Sequence, residues 1–170
     1  MIWKQNFKDI SRFKMKILFV CSSNICRSPY CEFLMKKMVQ EDEKLSLSIE
    51  KISSAAVLNQ SFKIHPKAVL ALKREGFSEE EILKHKPRFK WAAWKDFKEA
   101  DLIIGMNNAN KFFTPLMFQK KFKTLSEVAV GEDVFIPDPW LMKDINEYFK
   151  VMDIIKDYLI KFFAKLKGQN

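Results

Sequence analysis

Short apolar segments alternate with longer amphipathic segments along this chain. The runs Ile-Leu-Phe-Val at residues 17–20 and Asp-Leu-Ile-Ile-Gly at residues 101–105 are nearly continuous in apolar side chains. Such runs are typical of strands that are buried on both faces of a parallel sheet. Residues 47–54 alternate moderately between apolar and polar positions, and the short segment at residues 123–126 is the candidate for a fourth strand. The pattern therefore predicts four strands.

Longer segments between these strands carry apolar residues at helical spacing. They predict helices at residues 28–43, 65–76, 91–100 and 144–166, a helical turn near residues 79–86, and a further helix capped by Asn107 or Asn108. Residues 55–64 show no helical period and predict a loop. Strands that alternate with helices favour a parallel α/β sheet, whose ligand lies beyond the carboxyl ends of the strands.

The loop between the first strand and the first helix reads Val-Cys-Ser-Ser-Asn-Ile-Cys-Arg-Ser-Pro at residues 20–29. Pro29 is typical of the first turn of a helix, so the loop leads into a helix N-terminus. Successive backbone N–H groups and the helix dipole favour a phosphate-like dianion there, and they favour a thiolate at Cys21 over a thiol. Arg27 offers a planar fork for two phosphoryl oxygens. An isolated cysteine in this position is more often a small buried residue, so the full string carries the prediction.

Asp138 is the best candidate for a proton donor, because it lies between Pro137 and Pro139 on a loop with a restricted backbone. Transfer of a phosphoryl group to a thiolate requires an anion site, a cationic group that binds the phosphate, and a proton for the leaving oxygen. Asp-Pro pairs are also common in turns, so this signal is weak by itself.

The loop string resembles the signature of the low-molecular-weight protein tyrosine phosphatases, Val-Cys-x-Gly-Asn-Ile/Thr-Cys-Arg-Ser-Pro. Asp138-Pro139-Trp140 resembles the Asp-Pro-aromatic motif of the same family. The resemblance implies a single-domain α/β fold over residues 15–170, a three-layer sandwich whose four-stranded parallel sheet has the order 2-1-3-4 and carries helices on both faces. Residues 1–14 are then an N-terminal extension of unassigned role.

The resemblance also implies an activity and its residues. The implied reaction is hydrolysis of phosphotyrosine, and of small aryl phosphates, through a cysteinyl-phosphate intermediate without a metal or other cofactor. Cys21 is the implied nucleophile, Arg27 binds the phosphate, and Asp138 is the general acid and later the base. The other implied residues are Ser22, Ser23, Asn24, Ile25, Cys26 and Ser28 of the phosphate-binding loop, Ser54 and His85 in support, and Trp140 and Phe62 as walls for the substrate ring.

The chain departs from the family pattern at three positions. Ser23 stands where the signature has Gly, and if that position requires a positive φ, serine costs about 1 kcal/mol. Leu141 stands where a second aromatic residue is frequent, and Asn107 stands where Asp is common. These departures concern the shape of the loop, the ring slot and the local charge.

Three alternatives share the fold or the loop. Arsenate reductases need a further cysteine pair downstream, and no cysteine follows Cys31. Phosphoarginine phosphatases carry Thr at the position of Ile25, so Ile25 favours the aryl-phosphate class. A non-catalytic phosphoprotein-binding module would have no use for the nucleophile Cys21 and the acid Asp138.

Composition and charge limit the class of protein further. The chain has 170 residues, enough for one domain with a substantial core, and a formal net charge of +9. The positive charge suits an anionic substrate and oxyanion inhibitors such as inorganic phosphate. The lysines are spread along the chain, which argues against nucleic acid as the partner. No apolar run approaches the length that spans a bilayer, so no membrane association is expected.

The three cysteines, Cys21, Cys26 and Cys31, lie within one short segment and do not form a disulfide framework. This usage is typical of a reducing compartment and predicts the cytoplasm. Cys26 lies close enough in sequence to form a reversible disulfide with Cys21 under oxidation, although a small buried residue is an equally good interpretation.

Overall fold

The computed structural model describes residues 14–169, so the predicted extension at residues 1–14 lies outside the described residues except for its last one. Four strands, β1 to β4, form one parallel sheet in the order β2-β1-β3-β4. They are Met15–Cys21, Ile49–Ala56, Leu102–Gly105 and Phe122–Thr124. The predicted α/β class, the parallel sheet and its strand order are confirmed.

Eight α-helices connect or follow these strands in the described part of the chain. Helices α1 to α8 are Arg27–Gln40, Glu43–Ser48, Pro66–Arg74, Glu79–Leu83, Trp94–Glu99, Asn108–Phe113, Leu125–Val130 and Ile145–Gln169. Two short 3-10 helices lie at Leu116–Lys121 and Pro139–Leu141.

The sheet separates two apolar cores. Ile17 and Phe19 of β1 pack in one core with helices α1 and α8, whereas Leu18 and Val20 pack in the other core with Phe97 of α5. All of these β1 side chains are buried, as the continuous apolar run predicts. The last helix also buries the apolar residues that recur along it at helical spacing: Tyr148, Met152, Ile155, Leu159, Phe162 and Leu166. The helices therefore cover both faces of the sheet.

The second and fourth strands have other boundaries than predicted, and a helix cap explains the start of the former and the end of the latter. The Asp42 side chain accepts a hydrogen bond from the Leu45 N–H and starts α2, so the predicted strand at 47–54 begins inside this helix. Strand β2 then continues through Ala55 and Ala56, which the prediction placed in a loop. At β4, the Thr124 side chain caps α7 in a capping box, so residues 125–126 are helical.

Hydrogen bonds attach the loop after β1 to neighbouring segments. The carbonyl of Cys21 accepts from the N–H of Val57 at 3.0 Å, and the carbonyl of Ser22 accepts from the N–H groups of Leu58 and Asn59 at 3.0 and 2.9 Å. These contacts hold residues 21–28, called the phosphate loop below, at the carboxyl end of the central strand.

Candidate active site

The Cys21 side chain lies at the carboxyl end of β1 and is only 3% exposed. Its sulfur is 3.0 Å from the Ser28 Oγ, near the start of α1. The Ser28 oxygen accepts a hydrogen bond from Asn24 Nδ2 at 2.9 Å. Because that contact occupies a lone pair of the Ser28 oxygen, the hydroxyl hydrogen is free to point at the sulfur, where it stabilises a thiolate.

Asn24 holds the shape of the phosphate loop. It has φ of 55°, and among residues 14–169 it is the one non-glycine residue with a positive φ. Asparagine tolerates this region better than most residues. The expected strain at Ser23 is therefore wrong: the left-handed position of the loop is Asn24, and serine replaces the signature glycine without a positive φ.

Every polar group of the Asn24 side chain is bonded. Its Nδ2 donates to Ser54 Oγ at 2.8 Å as well as to Ser28, and its Oδ1 accepts from the Arg88 N–H at 3.0 Å. The Asn24 carbonyl accepts from His85 Nε2 at 3.1 Å, and burial lowers the pKa of His85, which favours the neutral ring. The structure thus brings Ser54 and His85 to the back of the loop.

Two further residues support the loop, and the sequence did not assign them this role. Ser54 Oγ donates to a carboxylate oxygen of Glu32 in α1, and Arg88 Nη2 donates to the Ser54 carbonyl at 3.1 Å. Arg88 also pairs with buried Asp96. Burial by itself raises the pKa of Asp96, but its pairs with Lys51 and Arg88 lower it overall. The spacing His-x-x-Arg was a signal for Arg88, whereas no local pattern connects Glu32 with Ser54.

The Arg27 guanidinium and the loop backbone present unused hydrogen-bond donors. Arg27 is 2% exposed, and its Nε and Nη1 are buried without a partner in the described part of the protein. The backbone N–H groups of residues 22–27 also donate to no group among residues 14–169. Buried donors are nearly always satisfied in folded proteins. A nest of N–H groups beside an unpaired guanidinium is therefore suited to a dianion with several oxygens.

Asp138 lies beside this anion site although it is far away in the sequence. Its Oδ2 accepts from Arg27 Nη2 at 2.8 Å, and its Oδ1 caps the following 3-10 helix through the Trp140 N–H at 3.0 Å. The carboxylate side chain is 35% exposed. The segment at residues 136–140, called the acid loop below, thus places a partly exposed carboxyl group at the mouth of the site.

A cleft of about 440 Å³ opens above the phosphate loop. Trp140 stands at its rim and is 60% exposed. Phe62 is 82% exposed and does not line the cleft, so its role as a ring wall stays a prediction. The lining residues are Cys21, Ser22, Ser23, Ile25, Cys26, Arg27, Leu58, Asn59, Ser61, Asp138 and Trp140.

Part of the wall of the cleft comes from residues that the sequence did not single out. Leu58 supplies an apolar surface there, and Asn59 Nδ2 donates to Ser23 Oγ at 3.2 Å. Leu141, at 75% exposed, lies outside the lining, and Asn107 caps helix α6. Positions 141 and 107 therefore contribute no aromatic ring to the wall of the cleft.

The cysteines are all buried and free. Cys26 lines the cleft together with Cys21, and burial raises the pKa of the Cys26 thiol to about 12. Burial also raises the pKa of Cys31, a residue of α1 whose side chain packs in the core. At neutral pH both residues are therefore thiols.

Metal sites and membrane-spanning helices are both absent from the described residues. Within residues 14–169, no group of three or more His, Cys, Asp or Glu side chains is arranged to hold a metal ion. In the same range, no helix combines the length and the apolar character that crossing a membrane requires.

A protein tyrosine phosphatase of low molecular weight from Staphylococcus epidermidis, PtpB, is 30% identical over 146 residues, which cover 83% of this chain and 94% of that protein. The protein-arginine-phosphatase of Bacillus subtilis is 29% identical over 157 residues, covering 90% of this chain and 97% of that protein. A crystal structure of a YwlE mutant from Bacillus subtilis superimposes with a TM-score of 0.74 at 26% identity, covering 91% of this chain and 99% of that one.

The family model described as low molecular weight phosphotyrosine protein phosphatase matches residues 16–170. This match includes the phosphate loop, the acid loop and all four strands except the first residue of β1. The chain therefore belongs to the low molecular weight phosphotyrosine protein phosphatase family.

Proposed function

We propose that this protein is a protein tyrosine phosphatase that hydrolyses phosphotyrosine and small aryl phosphates through a phosphate ester of Cys21. The observation that carries the proposal is the set of unused donors around the cleft. The N–H groups of residues 22–27 and two nitrogens of Arg27 have no partner among residues 14–169, and the Cys21 sulfur lies in the same cleft. A phosphoryl group bound by these donors has a nucleophile next to it.

The reaction proceeds in two displacements. The Cys21 thiolate attacks phosphorus, and the bond from phosphorus to the phenolic oxygen breaks while Asp138 gives its proton to that oxygen. Asp138, now a carboxylate, takes a proton from a water molecule, and that water attacks the phosphocysteine. Inorganic phosphate leaves and the Cys21 thiolate is restored, so the cycle consumes only the phosphate ester and water.

The contact between Asp138 and Arg27 in the free site has a role in this cycle. The Arg27 Nη2 donates to Asp138 Oδ2 at 2.8 Å when no phosphate is present. A bound phosphate dianion competes with the Asp138 carboxylate for that guanidinium, because each anion accepts hydrogen bonds from the same N–H groups of Arg27. Substrate binding therefore frees the Asp138 carboxyl group to carry the proton that the leaving group requires.

The relatives with similar sequences include phosphatases named for tyrosine and for arginine, so the substrate has to be assigned from the cleft. Ile25 and Leu58 give the cleft apolar walls, and Trp140 adds an aromatic face at the rim. A flat phenolic ring buries apolar area against such walls, whereas a guanidinium group loses hydration there. This arrangement favours phosphotyrosine over phosphoarginine. We assign a tyrosine-phosphorylated protein as the substrate, with inorganic phosphate as a competing ligand.

Hydrolysis of p-nitrophenyl phosphate with excess EDTA at mildly acid pH tests the proposal. The expected result is turnover that EDTA does not change, together with a phosphorylated Cys21 that rapid acid quenching and peptide mass spectrometry detect. With phosphopeptides as substrates, we expect phosphotyrosine to react faster than phosphoarginine, and Ile25→Thr to narrow that difference. Binding of a phosphopeptide without turnover would instead identify a phosphoprotein-binding module, and preferred turnover of phosphoarginine would identify the other phosphatase class.

We further propose that the enzyme works in the reducing cytoplasm and that Cys26 protects Cys21 from irreversible oxidation. Peroxide converts the Cys21 thiolate to a sulfenic acid, and the Cys26 sulfur displaces the hydroxyl group, which leaves as water and gives a disulfide. A thiol reductant then restores both groups. The support is that both cysteines line the same cleft and that the raised pKa of Cys26 keeps it a thiol, less reactive towards peroxide than a thiolate.

After brief peroxide treatment followed by dithiothreitol, we expect the wild type to regain most of its activity and Cys26→Ser to regain much less. Cys31→Ala is the matched control, because Cys31 is buried in the core and does not line the cleft. It should recover like the wild type. Equal recovery of Cys26→Ser and the wild type would contradict protection by Cys26.

A further inference from the structure

The start of helix α3 contacts the segments that form both sides of the cleft. The His65 N–H donates to the carbonyl of Ile25 in the phosphate loop at 3.0 Å. Lys67 Nζ donates to the carbonyls of Met142 and Lys143, just after the acid loop, at 2.6 and 2.8 Å. These few residues therefore tie the phosphate loop to the chain that follows Asp138.

The His65 ring lies between a buried ring and the rim of the cleft. It stacks on Tyr148 of α8, with ring centroids 6.2 Å apart and an angle of 18° between the planes. It meets Trp140 edge to face, at 5.1 Å and 72°. Its Nδ1 accepts from the Lys67 N–H at 3.2 Å, which fixes the orientation of the imidazole. Tyr148 is fully buried and Trp140 is exposed. The His65 ring therefore connects an exposed tryptophan to a residue that is fixed in the core.

We infer that His65 is a positioning residue that holds the Trp140 ring at the mouth of the cleft and thereby sets the preference for phosphates that carry an aromatic ring. The inference rests on the proposed function of the same site. His65 does not line the cleft itself, so its effect on a ligand passes through Trp140.

The position of the acid does not depend on the His65 ring. Asp138 is held by the Arg27 ion pair at 2.8 Å and by the Trp140 N–H, and Lys67 anchors the chain beyond the acid loop. The anion site is formed by the loop backbone and Arg27. Loss of the imidazole therefore lowers the affinity for the aromatic part of a ligand, whereas the affinity for a bare phosphate and the chemical step keep their wild-type values.

Two substitutions separate the ring of His65 from its hydrogen bond. His65→Asn keeps a side-chain oxygen that can accept from the Lys67 N–H but removes the ring, and His65→Phe keeps a ring but removes the acceptor. Isothermal titration measures Kd for phenylphosphonate, which has a ring, and for inorganic phosphate, which has none. Aromatic pairs contribute about 0.5–1.5 kcal/mol, so we expect His65→Asn to raise the Kd for phenylphosphonate about two- to tenfold. Inorganic phosphate should bind unchanged, and His65→Phe should resemble the wild type with both ligands.

A double-mutant cycle completes the test. In a Trp140→Ala background, His65→Asn should produce no further loss of phenylphosphonate affinity, and it should leave kcat for p-nitrophenyl phosphate as it is in Trp140→Ala alone. Equal weakening of both ligands, or additive losses in the cycle, would overturn the inference. If His65→Asn does not fold by circular dichroism, His65→Gln takes its place. These titrations need no turnover, so an absence of catalysis would refute the proposed function separately.

Discussion

Cys21→Ser is expected to abolish turnover, with kcat for p-nitrophenyl phosphate reduced by about 10⁴-fold or more. A serine hydroxyl must lose its proton to act as the nucleophile, and the described residues place no base in hydrogen-bond contact with Cys21. The side-chain hydrogen-bond partner of the Cys21 sulfur is the Ser28 hydroxyl at 3.0 Å, which is itself bonded to Asn24. A thiolate has already lost its proton and needs no such base, so a cysteine at this position can act as the nucleophile where a serine cannot.

The variant should still bind phosphate, because the loop N–H groups and Arg27 are unchanged. Isothermal titration with inorganic phosphate checks this, and the same protein should retain tyrosine-phosphorylated proteins on a column. Cys31→Ala is the control: it removes a cysteine that packs in the core, and it should keep wild-type kcat. Measurable turnover by Cys21→Ser above the uncatalysed rate would show that another group is the nucleophile.

The phosphate loop could be predicted from the sequence because its parts are contiguous. Strand, cysteine, arginine and helix-starting proline follow one another within residues 17–29. In a loop that joins a strand to a helix in this way, the backbone N–H groups point towards one site, and this geometry depends on local residues only. The burial of β1 on both faces could be predicted for the same reason, since its apolar side chains form one contiguous run.

Contacts over long sequence separations could not be predicted in this way. The two prolines beside Asp138 indicated a stiff loop, but only the fold shows that Asp138 lies 2.8 Å from Arg27. Glu32 and Leu58 look like ordinary residues of a helix and a loop in the sequence. They gain their roles because parallel strands bring α1 and the segment after β2 to the same edge of the sheet.

The backbone of the loop shows a different limit. The serine at position 23 suggested strain because the family signature has glycine there, yet the positive φ belongs to Asn24. A signature gives residue types but not the dihedral angles that they adopt. Likewise, the Asp42 cap made the second strand begin later, and the Thr124 cap made the fourth strand end earlier, than the sequence pattern indicated, because a satisfied helix N-terminus outweighs the preference of a few residues.

Asp138→Asn is expected to lower kcat by about 10²- to 10⁴-fold, the usual contribution of general acid–base catalysis. The amide can still accept from the Trp140 N–H, as Asp138 Oδ1 does at 3.0 Å, so the shape of the acid loop is retained. It cannot give a proton to the leaving oxygen. The loss should therefore depend on the leaving group: it should be larger for phosphotyrosine than for p-nitrophenyl phosphate, whose nitrophenolate leaves readily without a proton.

The same substitution removes the carboxylate that pairs with Arg27 in the empty site. A phosphate group then binds without displacing a competing anion, so inorganic phosphate should inhibit Asp138→Asn at least as strongly as it inhibits the wild type. Asp144→Asn is a matched control, because Asp144 is an acidic residue near the acid loop that accepts from backbone N–H groups at the start of α8 and does not line the cleft. It should keep kcat for both substrates. An equal loss for phosphotyrosine and p-nitrophenyl phosphate in Asp138→Asn would mean that Asp138 positions the loop and does not protonate the leaving group.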